Sequence, residues 1–501
     1  TLAMTTAAQD EVYFPTTEWR TSTPEEQGMN SAVLAEMVGS LRYGTEVIHS
    51  ILVVRDGYVV LDASPYPFRA DQPHWLFSST KSVISTLVGV AIEQGLIESV
   101  DQSIWYFFPQ ETVANMDERK AAITIRDLLI HSSGLSLGES GDIGMYSLTA
   151  DDQSWVEYVL NMPMMFSPGN GATYLDANAH LVSAIIGEAT GMSASQFAQE
   201  TLFASLGISD APWQSDPQGV NWGGDGLSLS PYDVAKLGYL YLNNGEWAGQ
   251  QLLPSTWIEA ATSEQNRLVT NSYGYLWWVG AYGEHPFFVA MGLGGQEIWV
   301  IPDEDLVVVI TGDGEEAGGR WIEDYILAAI VGDGALPANV EAQAALAASI
   351  EALAAPVSAD VPPIPAAIAD VAGQMIVLED NPLRWDSLSL TFSEDEAFLL
   401  VDVAGTPLEL PFGLDGVYRV SHDGVLAQTA ALPTGPFWRP LTGAAVAGRL
   451  GRIGDDWLII HAWDLSGGES WDIRLRFKDV VTVTVATHVV PDTVRIGGVI
   501  E

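Results

Sequence analysis

The apolar positions of this chain follow two regimes. Up to about residue 330, stretches with helical spacing are interleaved with short apolar strand runs; beyond about 370, short strand-like segments recur between polar turns. In the first regime, Asn30 to Leu41 predicts a helix with Ser31 near its start. Val47 to Asp62 predicts two strands joined at Asp56-Gly57, a dipeptide that favours a hairpin. Val83, Leu87, Val90 and Ile92 predict a helix that starts near Ser79 and ends at Gly95. Ile123 to Ile130 predicts a short helix capped by Thr124, and Leu181 to Gly191 a longer apolar one. Ser230, Pro231 and Asp233 together open a helix running to about Asn243. Leu306 to Ile310 predicts a buried strand, and Arg320 to Ile330 a closing helix.

Between residues 334 and 368 an Ala-rich run, Glu341 to Ala354, gives way to Pro356, Pro362, Pro363 and Pro365. This predicts a helix, a stiff linker and a domain boundary. The strands expected after it are Leu388–Phe392, Ala397–Asp402, Gly416–Ser421, Asp456–His461, Trp471–Phe477 and Val480–Val485. Ser393-Glu-Asp-Glu, His422-Asp-Gly and Gly454-Asp-Asp mark turns between them, so residues 369–501 predict an antiparallel barrel or sandwich. Residues 1–27 predict an irregular arm, and 28–333 the main domain. The β domain leaves three roles open: stabilisation, a contact in a homodimer, or a wall of the active site.

Composition narrows the class. With 501 residues and 48% of them hydrophobic, the chain supports two or three domains with large cores. Lys and Arg number 20 against 65 Asp and Glu, a formal net charge of -45. Nucleic acid and anionic membrane surfaces are therefore poor partners, and no nucleic acid is expected. Cysteine is absent, so there are no disulfides or thiolate metal sites. No run approaches the roughly 18 apolar residues of a membrane span. The start, Thr-Leu-Ala-Met-Thr-Thr-Ala-Ala, fits the remainder of a processed export signal or an expression scar. Export to the periplasm or the exterior is the expectation, with a cytoplasmic location left open.

Candidate chemistry centres on Ser78 and Lys81. A helix beginning near Ser79 puts the two one turn apart on the same face. A serine hydroxyl is a weak nucleophile until a base takes its proton. A lysine in an apolar pocket near a helix N-terminus has its neutral form favoured and so can serve as that base. The same N-terminus leaves backbone N–H groups free for an oxyanion. A serine cap followed by a surface lysine is the plain alternative, so the pair needs support from elsewhere in the chain. Tyr174, in a loop before a helix, is packing unless it reaches that pair, where a phenol relays a proton to the leaving group. His131 is read as a hydrogen-bonded structural residue. Trp277 and Trp278 are read as core.

Several stretches in order carry a family resemblance: Phe77-Ser-Ser-Thr-Lys-Ser82, Ile123 to Leu135, Tyr174-Leu-Asp176 with Ile185-Ile186 and Thr190-Gly191 after it, Gly223 to Asp233 with Leu237 to Gly245, Tyr273 to Trp278, and Met291 to Pro302. Over about residues 25 to 333 the chain resembles the serine hydrolases related to class C β-lactamases, D-Ala-D-Ala carboxypeptidases, family VIII carboxylesterases and 6-aminohexanoate-dimer hydrolases. The resemblance implies an α/β (α+β) fold of the penicillin-binding-protein type: a mixed antiparallel sheet flanked by helices, plus an all-helical lobe. It also implies that Ser78 is acylated, that Lys81 activates it and that Tyr174 shuttles the proton. The oxyanion hole would use the backbone N–H of Ser78 and of Leu293. No metal or cofactor is implied.

Two departures bear on substrate. Asp176 stands where the lactamases carry asparagine, and Ala290-Met291-Gly292 lacks the Lys or His that often precedes the third motif. That cation helps hold the carboxylate of a β-lactam. A neutral ester or amide, or one with a cationic amine near Asp176, therefore fits better than an anionic drug, with Trp213, Trp222, Met291 and Gly292 as further substrate contacts. A β-lactamase or D-amino-acid peptidase is the alternative within the family, and a non-catalytic binder or sensor the alternative outside it. Gly292-Leu-Gly-Gly leads into strand-like residues rather than a helix, which removes a dinucleotide site.

Overall fold

The structure, a computed structural model, describes residues 13–41, 48–110, 113–136, 145, 148, 153–314, 318–421, 445–465, 470–478, 480–487 and 493–500. The first domain is built on an eight-stranded antiparallel sheet. Its strands are β1 (Ile48–Arg55), β2 (Tyr58–Ala63), β3 (Asn266–Leu268), β4 (Asn271–Tyr273), β5 (Trp278–Tyr282), β6 (His285–Gly292), β7 (Gln296–Ile301) and β8 (Leu306–Gly312). Their order is β2-β1-β8-β7-β6-β5-β4-β3, so the N-terminal hairpin pairs with the last strand of the domain. Asp56 and Gly57 have φ of 52° and 74°, the double left-handed turn that matches strand twist and that the Asp-Gly pair favours.

The central strands are apolar without alternation because both faces are covered. Leu52, Val54, Ile298, Val300, Val307 and Val309 pack with helices α2 (Thr80–Glu93) and α4 (Pro231–Leu242). Ile51, Val53, Trp299, Ile301, Val308 and Ile310 pack on the other face with α1 (Ser31–Leu41) and the Gly319–Leu327 segment, where a short α turn passes into a π-helix. α2 is buried from Thr80 to Ala91, the mark of a helix enclosed on all sides. Against it the helical lobe places α3 (Asp176–Thr190), longer by one and a half turns at its start than the sequence pattern suggests. Thr124 and Ser230 cap their helices as expected, each accepting from the backbone N–H three residues on.

The Ala-rich run forms α5 (Val340–Ala354), whose Leu346 and Leu353 are buried in the cluster that holds Met37, Val38 and Leu41 of α1. Glu25 in the arm binds the backbone N–H and hydroxyl of Ser31 and receives Gln343 Nε2 at 2.8 Å, tying arm, α1 and α5 together.

The C-terminal domain resolves the choice between sandwich and barrel. Its strands are β9 (Ile376–Leu378), β10 (Trp385–Phe392), β11 (Glu396–Val403), β12 (Thr406–Gly413), β13 (Arg419–Ser421), β14 (Val446–Gly454), β15 (Trp457–Asp464), β16 (Ser470–Arg476), β17 (Val481–Thr487) and β18 (Thr493–Ile500). The order β12-β11-β10-β9-β18-β17-β16-β15-β14 closes when Gly413 of β12 pairs in parallel with Arg449 of β14, leaving β13 on the outside of β14. A nine-stranded barrel results, filled by one apolar cluster. β12 escaped the sequence pattern because Pro407 and Pro411 interrupt it. Gly416 sits in a left-handed turn, so the strand expected from 416 starts at Arg419; the expected His422-Asp-Gly turn lies outside the described residues.

The barrel docks on the first domain through Phe68, Ala445, Ala447 and Leu465, with Trp463 edge-on to Phe68 and Tyr66 donating to the Tyr418 carbonyl at 2.7 Å. Among the described residues no helix is long and apolar enough to cross a membrane.

Candidate active site

Ser78 lies in a tight turn, Phe77–Ser79, directly ahead of α2. Phe77 has φ of 46°, a left-handed conformation that costs a non-glycine residue about 1–3 kcal/mol and is tolerated where the surroundings enforce it. Here they do. The Phe77 ring stacks on Trp75 at 4.9 Å, Trp75 Nε1 donates to Asp225 at 2.6 Å, and Leu76 N donates to the Leu227 carbonyl at 2.9 Å. The Ser79 hydroxyl, free of a capping role, donates to the Gln296 carbonyl at 2.7 Å. The turn that carries Ser78 is thus clamped from both sides.

Lys81 has a side chain only 1% exposed. Its ammonium donates to Ser78 Oγ at 2.8 Å and to the Gly224 carbonyl at 2.7 Å, and it meets Asp176 Oδ1 at 2.5 Å. The sequence suggested an apolar pocket that favours the neutral amine. Burial does push that way, but the charges and hydrogen bonds of Asp176 and Tyr174 outweigh it and raise the Lys81 pKa above its ordinary value. Asp176, expected as a contact for a cationic substrate, is paired with Lys81 as its counter-ion. Gly224 can approach because it lacks a side chain: a Cβ there would lie 2.8 Å from Asp176 Cβ, and one on Gly223 would lie 2.0 Å from the Ala179 carbonyl oxygen.

Tyr174 reaches the pair, and Lys81 Nζ sits 4.8 Å from its ring centroid. Three rings fix the phenol: His131 at 4.5 Å, Trp278 stacked at 5.9 Å, and Tyr273 edge-on at 6.4 Å. Trp277 is core, but Trp278 is half-buried and faces Tyr174, which the continuous apolar run around it concealed. His131 is buried with φ of 55°, and its Nδ1 accepts from the Leu175 backbone at 3.3 Å. Burial, and then the Lys81 charge, pull its pKa down to about 3, so it is a neutral acceptor that positions the Tyr174 loop.

The opposite wall is the end of β6. Pairing with β5 stops at Val289, while Ala290, Met291 and Gly292 remain paired with β7. Gly292 passes so close to the Ser78 turn that a Cβ would fall 2.3 Å from the Leu76 carbonyl oxygen. Met291 and Leu293 are 41% and 51% exposed. Gly294 and Gly295 are both left-handed and turn the chain into β7. Gln296, to which the sequence attached no role, holds this turn. Its side chain donates to the Leu293 and Gly312 carbonyls at 3.0 and 2.7 Å and accepts from Gly312 N at 3.3 Å. Nothing in its local sequence signals that this glutamine points inward.

Trp213 and Trp222 stand on the loop that carries Gly224. Trp213 Nε1 donates to the Trp222 carbonyl at 2.8 Å, Trp222 lies 5.2 Å from the Trp155 ring, and both pack against the main core. They brace the loop that delivers the Gly224 carbonyl to Lys81.

A serine, a buried lysine, a tyrosine and a glycine-lined strand end on a helix-flanked antiparallel sheet define the penicillin-binding-protein and β-lactamase class of serine hydrolase folds. The chain belongs to the β-lactamase family: the family model described as Beta-lactamase matches residues 47–333, more than half of its length. It is 22% identical over 316 residues to the 6-aminohexanoate-dimer hydrolase of Paenarthrobacter ureafaciens, covering 58% of this chain and 79% of that one. It is 28% identical over 224 residues to monacolin J acid methylbutanoyltransferase of Aspergillus terreus, covering 41% and 52%. Among solved structures, EstCE1, a hydrolase with promiscuous acyltransferase activity, superposes with a TM-score of 0.51 at 18% identity, covering 60% of this chain and 98% of that one.

Proposed function

We propose that the protein hydrolyses neutral carboxylic esters or amides of small to medium size through an acyl-enzyme on Ser78. The observation that carries this reading is the 2.8 Å contact between Lys81 Nζ and Ser78 Oγ at the head of a buried helix, with Tyr174 over the same ammonium. Ser78 Oγ attacks the carbonyl carbon as its proton passes to the coupled Lys81–Tyr174 pair. The tetrahedral oxyanion is held by the backbone N–H groups of Ser78 and Leu293. The same pair then protonates the departing alcohol or amine. Water repeats the sequence in reverse, losing a proton to the pair and displacing Ser78 from the acyl carbon. The pH dependence belongs to the pair and not to either residue alone.

Substrate class follows from charge. Ala290-Met291-Gly292 offers no cation, and Lys81 is already engaged by Asp176, so nothing at this wall favours an anionic β-lactam. The likeness to a 6-aminohexanoate-dimer hydrolase supports hydrolysis of a small acyl substrate. Parallel assays of a short-chain p-nitrophenyl ester and a chromogenic cephalosporin, on wild type and Ser78→Ala, test the reading. Ester turnover that vanishes in a folded Ser78→Ala variant is expected, with little on the cephalosporin. Ester turnover surviving in the variant would overturn the assignment of the nucleophile. Fast cephalosporin turnover would overturn the substrate class.

A further inference from the structure

We propose that the seam between the barrel and the first domain holds a second binding site, for a small monocarboxylic acid with a ring-bearing body, and that Arg449 takes its carboxylate.

A cavity of about 350 Å³ opens there, within the range of small-molecule sites. Arg449, on β14, lines it. Its guanidinium lies 5.1 Å from the Tyr418 ring centroid, and its Nε is buried with no hydrogen-bond partner among the described residues. This is unusual in a chain with 65 acidic and 20 basic residues. Arg419, nearby on β13, is surrounded by Asp395, Glu396 and Asp415. A buried donor of a charged group without an acceptor is costly, and a planar carboxylate matches the guanidinium fork.

The other polar groups define the ligand's charge. Asp472 is held by His461 Nδ1, and Asp313 accepts the Ser470 hydroxyl at 2.9 Å. Both carboxylates have donors, and among the described residues neither forms an ion pair with Arg449. Both oppose excess negative charge, a dianion about twice as strongly as a monoanion, so a single carboxylate on Arg449 is the favoured anion. Trp463, which donates to the Tyr418 hydroxyl at 2.6 Å, and Trp471 supply flat apolar walls for a ring.

The site is separate from Ser78 but mechanically joined to it. Asp313 follows Gly312, whose carbonyl and N–H are both held by Gln296, and Gln296 also holds the Leu293 turn.

Isothermal titration of the full chain with phenylacetate and with its uncharged isostere phenylacetamide tests the proposal. Wild type is expected to bind phenylacetate, phenylacetamide at least tenfold more weakly. Arg449→Gln should lose at least tenfold in phenylacetate affinity with ester turnover unchanged, and Arg449→Lys should recover part of the loss. Unchanged turnover and melting temperature in Arg449→Gln show that the variant folds. No binding of phenylacetate by wild type, equal binding in Arg449→Gln, or equal binding of phenylacetamide would each overturn the proposal.

Discussion

Lys81 Nζ is closer to Asp176 Oδ1, at 2.5 Å, than to Ser78 Oγ, at 2.8 Å. The resting lysine is therefore one half of a buried ion pair. In the proposed mechanism, activating Ser78 means working against the carboxylate that holds the ammonium.

This relationship predicts the effect of Asp176→Asn. The raised Lys81 pKa means that the ion pair stabilises the fold below the ordinary lysine value of 10.5 and is lost as pH rises through the raised folded value. Removing the carboxylate favours the deprotonated Lys81–Tyr174 pair. The acidic limb of kcat/KM should shift to lower pH by about one unit or more. A pH–rate profile on a neutral ester checks it; an unmoved limb would mean that Asp176 does not set the proton inventory.

Three buried histidines predict acid sensitivity. His49, His74 and His131 all have pKa values pulled below 6.5 by burial, His74 to about 4 and His131 to about 3. Unfolded, each binds a proton near pH 6.5, so the stability that depends on their neutral forms is complete above that pH. It is lost as pH falls toward the depressed values, at about 2 kcal/mol each for His74 and His131 by pH 5. Urea unfolding at pH 7 and pH 5 should show His74→Gln losing less stability on acidification than wild type.

Gly224→Ala should damage the site more than the fold. Its Cβ would lie 2.8 Å from Asp176 Cβ and 3.0 Å from Asp176 Cα, forcing the loop and the start of α3 apart. Overpacking of this kind costs about 1–3 kcal/mol. Steady-state kinetics should show kcat falling at least tenfold while a thermal melt remains cooperative.

Trp278→Ala should lower kcat/KM with little change in melting temperature, because the ring is half-buried and its stacking partner is Tyr174. The stack is worth about 0.5–1.5 kcal/mol, up to roughly tenfold in rate. Trp278→Phe should recover most of it. A large fall in melting temperature without a kinetic effect would return Trp278 to the core, where the sequence first placed it.

Much of this protein is written locally. The Asp56-Gly57 turn, the Thr124 and Ser230 caps, the left-handed Gly95 after α2 and the one-turn spacing of Ser78 and Lys81 depend on neighbours within a few residues, which sequence displays directly. The β character of the last third was legible for the same reason. Its closure was not. One parallel contact, Gly413 with Arg449, turns an open sheet into a barrel, and no local pattern encodes an edge meeting an edge.

The electrostatic state of the site also needed the tertiary structure. Sequence alone supplied the Ser78–Lys81 pair, and composition supplied an acidic protein. What the lysine touches depended on two glycines letting the Gly224 loop close on the start of α3, which brings Asp176 and a carbonyl oxygen to one ammonium. Trp278 and Gln296 were hidden for a related reason. Periodicity says that a side chain is buried, but only packing decides whether it is buried against the core or against the site.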